Sequence, residues 1–249
     1  IQDGDRTRRG RPALWARYGA AQAMNTGDIL LMLPFRALAS YPAEAQAALV
    51  QVLAQYAETT ARGQIRELAL TASPDEGWSD YFHAVSAKTG TLFGLPVRGA
   101  AELAGLRPQA ASALADTFSS IGVLYQLQDD LLDLFDEKGR GALGSDIYVG
   151  RLSAVVLTHL DLHPEDGPEL FAVLGRPREA TSAHEVAAVI ARFIEGGAAG
   201  QLLQRIESLA TELVAAEPLS ASPDVQALAS ELVHRVLSPL EAVKGALNV

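Results

Sequence analysis

Apolar residues recur at intervals of three and four along almost the whole chain. This predicts helices over Trp15 to Met24, Asp28 to Leu38, Ala43 to Leu70, Asp80 to Leu95, Gln109 to Asp136, Arg151 to Leu160, Pro168 to Leu174, Ala183 to Ile194, Ala198 to Ala216 and Pro223 to Ala246. Turn-forming groups separate these segments: Asn25-Thr26-Gly27, Tyr41-Pro42, Ser73-Pro74-Asp75, Arg107-Pro108, His163-Pro164 and Ser222-Pro223. Pro96 and Gly99 are expected to kink or split the helix that starts near Asp80. Strand alternation is hard to find, and no repeat of roughly twenty to fifty residues recurs, so the expected fold class is all-α, a helical bundle. No linker is rich or long enough to mark a boundary, which makes residues 1–249 a single expected domain.

Composition narrows the function classes. At 249 residues, 49% hydrophobic and 20% charged, the chain can bury a large core. Cysteine is absent, which removes disulfides, zinc thiolates and thiol catalysis. A formal charge of −10 argues against a nucleic-acid surface and requires any polyphosphate ligand to arrive with counter-cations. No run approaches the ~18 apolar residues of an integral membrane segment. With no signal-peptide pattern in view, a cytoplasmic location is the default expectation. The chain begins Ile1-Gln2-Asp3 in mid-pattern, so helices preceding residue 1 are expected to be missing from this copy.

The candidate chemistry starts with Asp129, Asp130 and Asp133, three acids inside the apolar helical pattern from Ile121 to Phe135. A four-residue step on a helix rises ~6 Å and returns to nearly the same face, which sets Asp129 and Asp133 in one direction with Gln126 a turn back. Two carboxylates ~4 Å apart repel by ~4 kcal/mol even at an effective dielectric near 20, so a partly buried cluster calls for a cation. Hard divalent ions such as magnesium suit an all-oxygen site and share themselves with substrate phosphates. The plain alternative is an acidic, solvated helix face.

Basic residues supply the other half. Four arginines fall within Asp3 to Pro12, and Arg forks bind phosphate oxygens two at a time; alone, the stretch also reads as a charged tail. Lys88-Thr89-Gly90 adds an ammonium and a hydroxyl on a helix face. The glycine-rich residues 139–150 follow the acidic helix, as simple flexible chain or as a lid over a diphosphate with Arg140 and Arg151 as donors. The five histidines lack ligand spacing and read as surface or capped residues.

The order of these motifs resembles the trans-isoprenyl diphosphate synthases, the polyprenyl synthetase family. The matching residues are Asp3 running into Arg8-Arg9-Gly10-Arg11-Pro12, then Gly27-Asp28, Gly63-Gln64, Lys88-Thr89, Gln126 with Asp129-Asp130-x-x-Asp133, and Gly144-Ser145-Asp146 with Arg151. The match spans residues 1 to 155, and the last hundred residues match only as helices.

The resemblance implies an isoprenoid-synthase-type bundle around a central apolar cavity. It also implies head-to-tail condensation of isopentenyl diphosphate with an allylic prenyl diphosphate, with products of fifteen to twenty carbons, a homodimeric assembly, and magnesium, three ions with substrate bound. Carried over by position, Asp3, Asp129 and Asp133 face the metal ions, with Asp130 supporting them. Asp3, Asp129, Asp130 and Lys88 are the catalytic set. Arg8, Lys88, Thr89, Gln126, Arg140 and Arg151 hold the allylic diphosphate, Arg9 holds isopentenyl diphosphate, and Gln64 buttresses the acids.

The sequence also departs from the family pattern. The family's Lys before Gly-x-Asp falls at Gly141, with Arg140 one residue early; its second Lys is Arg151, and Trp15 stands where many members have His. Two rivals stay open. One is a class I terpene cyclase, which would leave Arg9 idle; the other is a non-catalytic modulatory subunit, which would be expected to lose the acids.

Overall fold

The computed structural model describes residues 1, 4, 6–8, 10–70, 73–135 and 143–247, and most of them are helical. Two short strands, β1 (Thr7–Arg8) and β2 (Arg11–Pro12), lead into α1 (Leu14–Tyr18), α2 (Ala20–Leu38) and α3 (Ala43–Ala69). Next come α4 (Trp78–Val85), a π-helical turn at Ser86–Gly90, α5 (Thr91–Leu103) and α6 (Pro108–Leu132). The remainder holds α7 (Ser145–Tyr148), α8 (Ala154–Leu162), α9 (Gly167–Leu174), α10 (Ala183–Glu195), α11 (Ala198–Val214), α12 (Pro223–Leu237) and α13 (Leu240–Leu247).

Helix α6 is the axis of the bundle. Pro108 at its first position suits a residue whose N–H has no intrahelical acceptor. Ala111, Ala115, Phe118, Ile121, Leu124, Leu127 and Leu131, spaced by threes and fours, are all buried. That row packs against α5 and the π turn on one side and against α8, α11 and α12 on the other. Each such leucine or isoleucine removed from water contributes about 1.5–3 kcal/mol before cavity effects. The core it anchors continues from Leu70 to Val243.

Four local expectations change. The arginine-rich stretch forms an antiparallel hairpin, Thr7 opposite Pro12 and Arg8 opposite Arg11, turning at Gly10 with φ +72°. Asn25-Thr26-Gly27 does not break a helix: α2 runs through it, Thr26 Oγ1 donating to Gln22 O at 2.7 Å, and the break falls at Gly19, φ +86°. Pro96 lies within α5 without ending it, and the irregularity sits earlier, at the π turn that ends six residues before it. His159 is not a surface residue: at 1% exposure it bonds Asp166 Oδ2 at 2.9 Å and packs against His163 and Phe193.

Helix α2 has no buried residue, and Ile29, Leu30, Leu31, Met32 and Leu33 are all exposed. Among the described residues no single helix is long and apolar enough to cross a membrane; α10 and α11 pass by length and composition only as a pair bent by 60°.

Candidate active site

The last turn of α6 carries the acids, and the three are placed differently. Asp130 is 4% exposed. Its Oδ2 accepts from the Tyr81 hydroxyl and from the Ala154 amide, both at 2.8 Å, and its Oδ1 accepts from Gln126 Nε2 at 2.9 Å. Gln126 Oε1 in turn accepts from Thr89 Oγ1 at 3.1 Å. One chain of hydrogen bonds therefore joins the π turn, α6, α4 and the start of α8.

Close glycine crossings make this chain possible. A Cβ on Gly122 would lie 2.7 Å from the Gly90 Cα and 3.0 Å from the Thr89 carbonyl oxygen. Without side chains there, α6 and the π turn approach closely enough for Thr89 to reach Gln126.

Asp133, which caps α6, turns toward the segment that follows. Its Oδ1 accepts from Ser145 Oγ at 2.6 Å and its Oδ2 from the Asp146 amide at 2.9 Å, while its carbonyl accepts from Gly144 N at 2.8 Å. The expectation that Asp129 and Asp133 share one direction is changed, because the Ser145 hydroxyl and the Asp146 amide at the start of α7 draw Asp133 inward to 5% exposure. Asp129 remains half-buried at the rim.

The basic side meets the acids through a residue that the sequence reading passed over. Glu67, in the last turn of α3, pairs through Oε2 with Lys88 Nζ, and its Oε1 lies 3.9 Å from Arg151 Nε. Arg151 Nη1 also reaches Asp146 Oδ1 at 3.1 Å. Gly63 sets the spacing: a Cβ there would stand 2.4 Å from the Lys88 amide nitrogen, so α3 touches the π turn backbone to backbone. Gln64, half-buried beside it, lies on the same stretch of α3.

Glu67, Tyr81, Gln126, Asp130 and Arg151 line a cavity of about 20 Å³, room for about one water. Burial raises the Tyr81 phenol well above its ordinary range, and the charges of Asp130, Asp146 and Asp129 raise it further. Negative potential converges here.

Lys88, Thr89, Gln126, Asp130 and Arg151 are thus brought together, with Asp133 one turn on. Arg8 is exposed on β1 and makes no ion pair or side-chain hydrogen bond among the described residues. Asp3, Arg9 and Arg140 lie outside the described residues.

Spacing could have found the two omitted groups. Glu67 follows Gln64 by three on one helix, and Tyr81, Ala84, Val85 and Lys88 share a stripe.

Among the described residues no three carboxylate or imidazole groups are placed to hold a metal ion by themselves. The donors near the rim are nevertheless hard oxygens. They fit magnesium, which takes one or two protein carboxylates and fills its shell with water and substrate phosphate.

The chain is 31% identical over 183 residues to a short chain isoprenyl diphosphate synthase of Methanothermobacter thermautotrophicus, covering 70% of this chain and 55% of that protein. It is 28% identical over 240 residues to a geranylgeranyl diphosphate synthase of Mycobacterium tuberculosis, covering 94% of this chain and 68% of that one. The chain therefore spans between about half and two-thirds of the length of these relatives. A crystal structure of a geranylgeranyl pyrophosphate synthase superposes with a TM-score of 0.85 at 21% identity, covering 96% of this chain and 75% of that one, which shows a shared all-α isoprenoid-synthase fold. The sequence profile of the polyprenyl synthetase family matches residues 1–193, and the chain belongs to that family.

Proposed function

We propose that the protein condenses isopentenyl diphosphate head-to-tail with an allylic prenyl diphosphate, giving a longer all-trans prenyl diphosphate in the fifteen-to-twenty-carbon range. The observation that carries this reading is the placement of Lys88 and Arg151 on one carboxylate, beside the acidic end of α6. Lys88 and Arg151 grip the allylic diphosphate, and Thr89 is held toward the same space by Gln126. The allylic C–O bond breaks with its electron pair leaving on the diphosphate, whose growing charge these cations offset. The double bond of isopentenyl diphosphate then supplies the electron pair of the new C–C bond, and loss of a proton restores an alkene.

Magnesium ions, three with substrate bound by family resemblance, would supply positive charge to the leaving diphosphate. Asp129 and Asp3 are the acids assigned to it; Asp130 and Asp133 act as braces that hold the end of α6. Arg9 is assigned to isopentenyl diphosphate and Arg140 to the allylic diphosphate by family position alone. On the same ground Arg8 is assigned to the allylic diphosphate and Gln64 to buttressing the acids. A homodimer is supported by the bare apolar run Ile29–Leu33 on α2, and a single domain by the core that runs unbroken from Leu70 to Val243.

The test is incubation of the protein with magnesium, isopentenyl diphosphate and allylic primers of several lengths, with identification of products. Linear diphosphates, and loss of more than ~100-fold in activity for Asp129→Ala with the fold intact, are the expected results. A cyclic hydrocarbon, or near wild-type turnover in that variant, overturns the reading.

A further inference from the structure

Lys88 and Arg151 are not waiting bare for a phosphate. Each oxygen of the Glu67 carboxylate faces one of them, Oε2 toward Lys88 and Oε1 toward Arg151 at 3.9 Å. The three side chains are 31%, 28% and 16% exposed for Lys88, Arg151 and Glu67, which places the group at the boundary between core and solvent. Arg151 keeps a second anion, Asp146, at 3.1 Å. Among the described residues, Glu67 is the acid paired with Lys88.

We propose that Glu67 is an internal stand-in for diphosphate. It satisfies both cations when the site is empty, yields them to the entering diphosphate, and reclaims them when pyrophosphate leaves. The inference rests on the reading of Lys88 and Arg151 as diphosphate ligands, and it gives Glu67 a role as a positioning residue rather than a catalytic one.

Three physical points support it. Two cations brought together at the end of α3 without an anion repel one another and hold any stray polyanion, so product pyrophosphate would leave slowly. A carboxylate with one oxygen on each cation keeps their spacing near that of two donors converging on one phosphate group. Glu67 stands on α3, whose position is fixed by the backbone contact of Gly63 with Lys88, so the acid can release its partners without moving them.

The consequence is unusual for an acid in a polyanion site. Removing its charge should tighten anion binding and slow turnover, whereas removing a phosphate ligand or a metal-facing acid weakens both.

The experiment measures the Kd of inorganic pyrophosphate by calorimetry, in chelator without divalent metal, for the wild type, Glu67→Gln, Glu67→Asp and Lys88→Gln. It adds the Glu67→Gln/Lys88→Gln double variant and steady-state inhibition by pyrophosphate. Glu67→Gln is expected to bind pyrophosphate about 10-fold more tightly than wild type and to become correspondingly more sensitive to product inhibition. Glu67→Asp keeps the charge and should return Kd to near the wild-type value. The gain should vanish in the double variant, because it depends on Lys88.

If wild-type binding weakens with Lys88→Gln but Glu67→Gln binds no more tightly, the stand-in role falls while the diphosphate site survives. If pyrophosphate binding is absent from the wild type, or indifferent to Lys88→Gln, both readings fall together. Thermal unfolding of each variant separates these results from loss of fold.

Discussion

The hydroxyl of Tyr81 on α4 donates to Asp130 on α6 across 2.8 Å, although the two residues are 49 apart in sequence. Both groups are buried, and the same carboxylate oxygen takes the first amide of α8. A charge on Asp130 is tolerated in the core because three donors surround it. Tyr81 is therefore part of what holds the acidic end of α6 still.

That bond makes the protein sensitive to alkali. The phenol of Tyr81 is raised well above 10.0 by burial, and then by the charge of Asp130. A raised folded-state value means that its contribution is fully present below the unfolded pKa, near 10.0, and is lost as pH rises beyond it. Stability measured by urea unfolding should fall above about pH 10, more steeply for wild type than for Tyr81→Phe. Equal slopes would mean that Tyr81 does not control this loss.

Asp133 offers a test of brace against metal ligand. If its work is to accept from Ser145 and Asp146, then Asp133→Ala should cost about 1.5–3 kcal/mol for each charge-assisted bond lost, in the absence of any metal. If it served a metal alone, its removal would relieve repulsion and leave metal-free stability unchanged or higher. Urea denaturation in chelator reads the difference directly.

Gly63→Ala tests the helix crossing beneath Lys88. Alanine favours a helix over glycine by about 1 kcal/mol, yet its Cβ would press on the Lys88 amide at 2.4 Å, and backbone cannot give way as a flexible side chain can. The expected result is net destabilisation and a weaker grip on diphosphate, seen as a lower Tm and a raised KM for the allylic substrate. A variant more stable than wild type would show that α3 can slide.

Acid should loosen α10 before the rest of the bundle. Glu185 is held down to about 2 by the amide and hydroxyl of Ser182, with help from Arg176. A depressed folded-state value contributes stability above the unfolded pKa of 4.5, and that stability is lost as pH falls toward about 2. Amide exchange at residues 182 to 186 should accelerate over this window in wild type and be insensitive to it in Glu185→Gln.

Particular elements show how far the sequence could be read. The apolar stripe that follows Pro42 predicts a helix from Ala43, and α3 starts there. The apolar pattern of the α12 segment predicts a helix that runs on to Ala246, but Pro239 lacks an N–H and the chain restarts at Leu240. The hairpin at Thr7 to Pro12 left no periodic trace, since two-residue strands are too short to alternate. His159 reads as a surface residue because a lone histidine carries no sign of the partner that would satisfy it in the core, and the half-buried Asp166 is that partner.

By itself the sequence determined the helical class, the order of the motifs and the residue types that could meet a metal-bound diphosphate. Those properties are local: they depend on spacing along one helix and on the chemistry of each side chain. Only the tertiary structure decided which acids are donated to inward, that Asp133 serves the segment after it, and that Glu67 lies between Lys88 and Arg151. Those outcomes depend on how closely helices cross, and that distance was set at Gly63, Gly90 and Gly122, where the missing side chains let backbones touch.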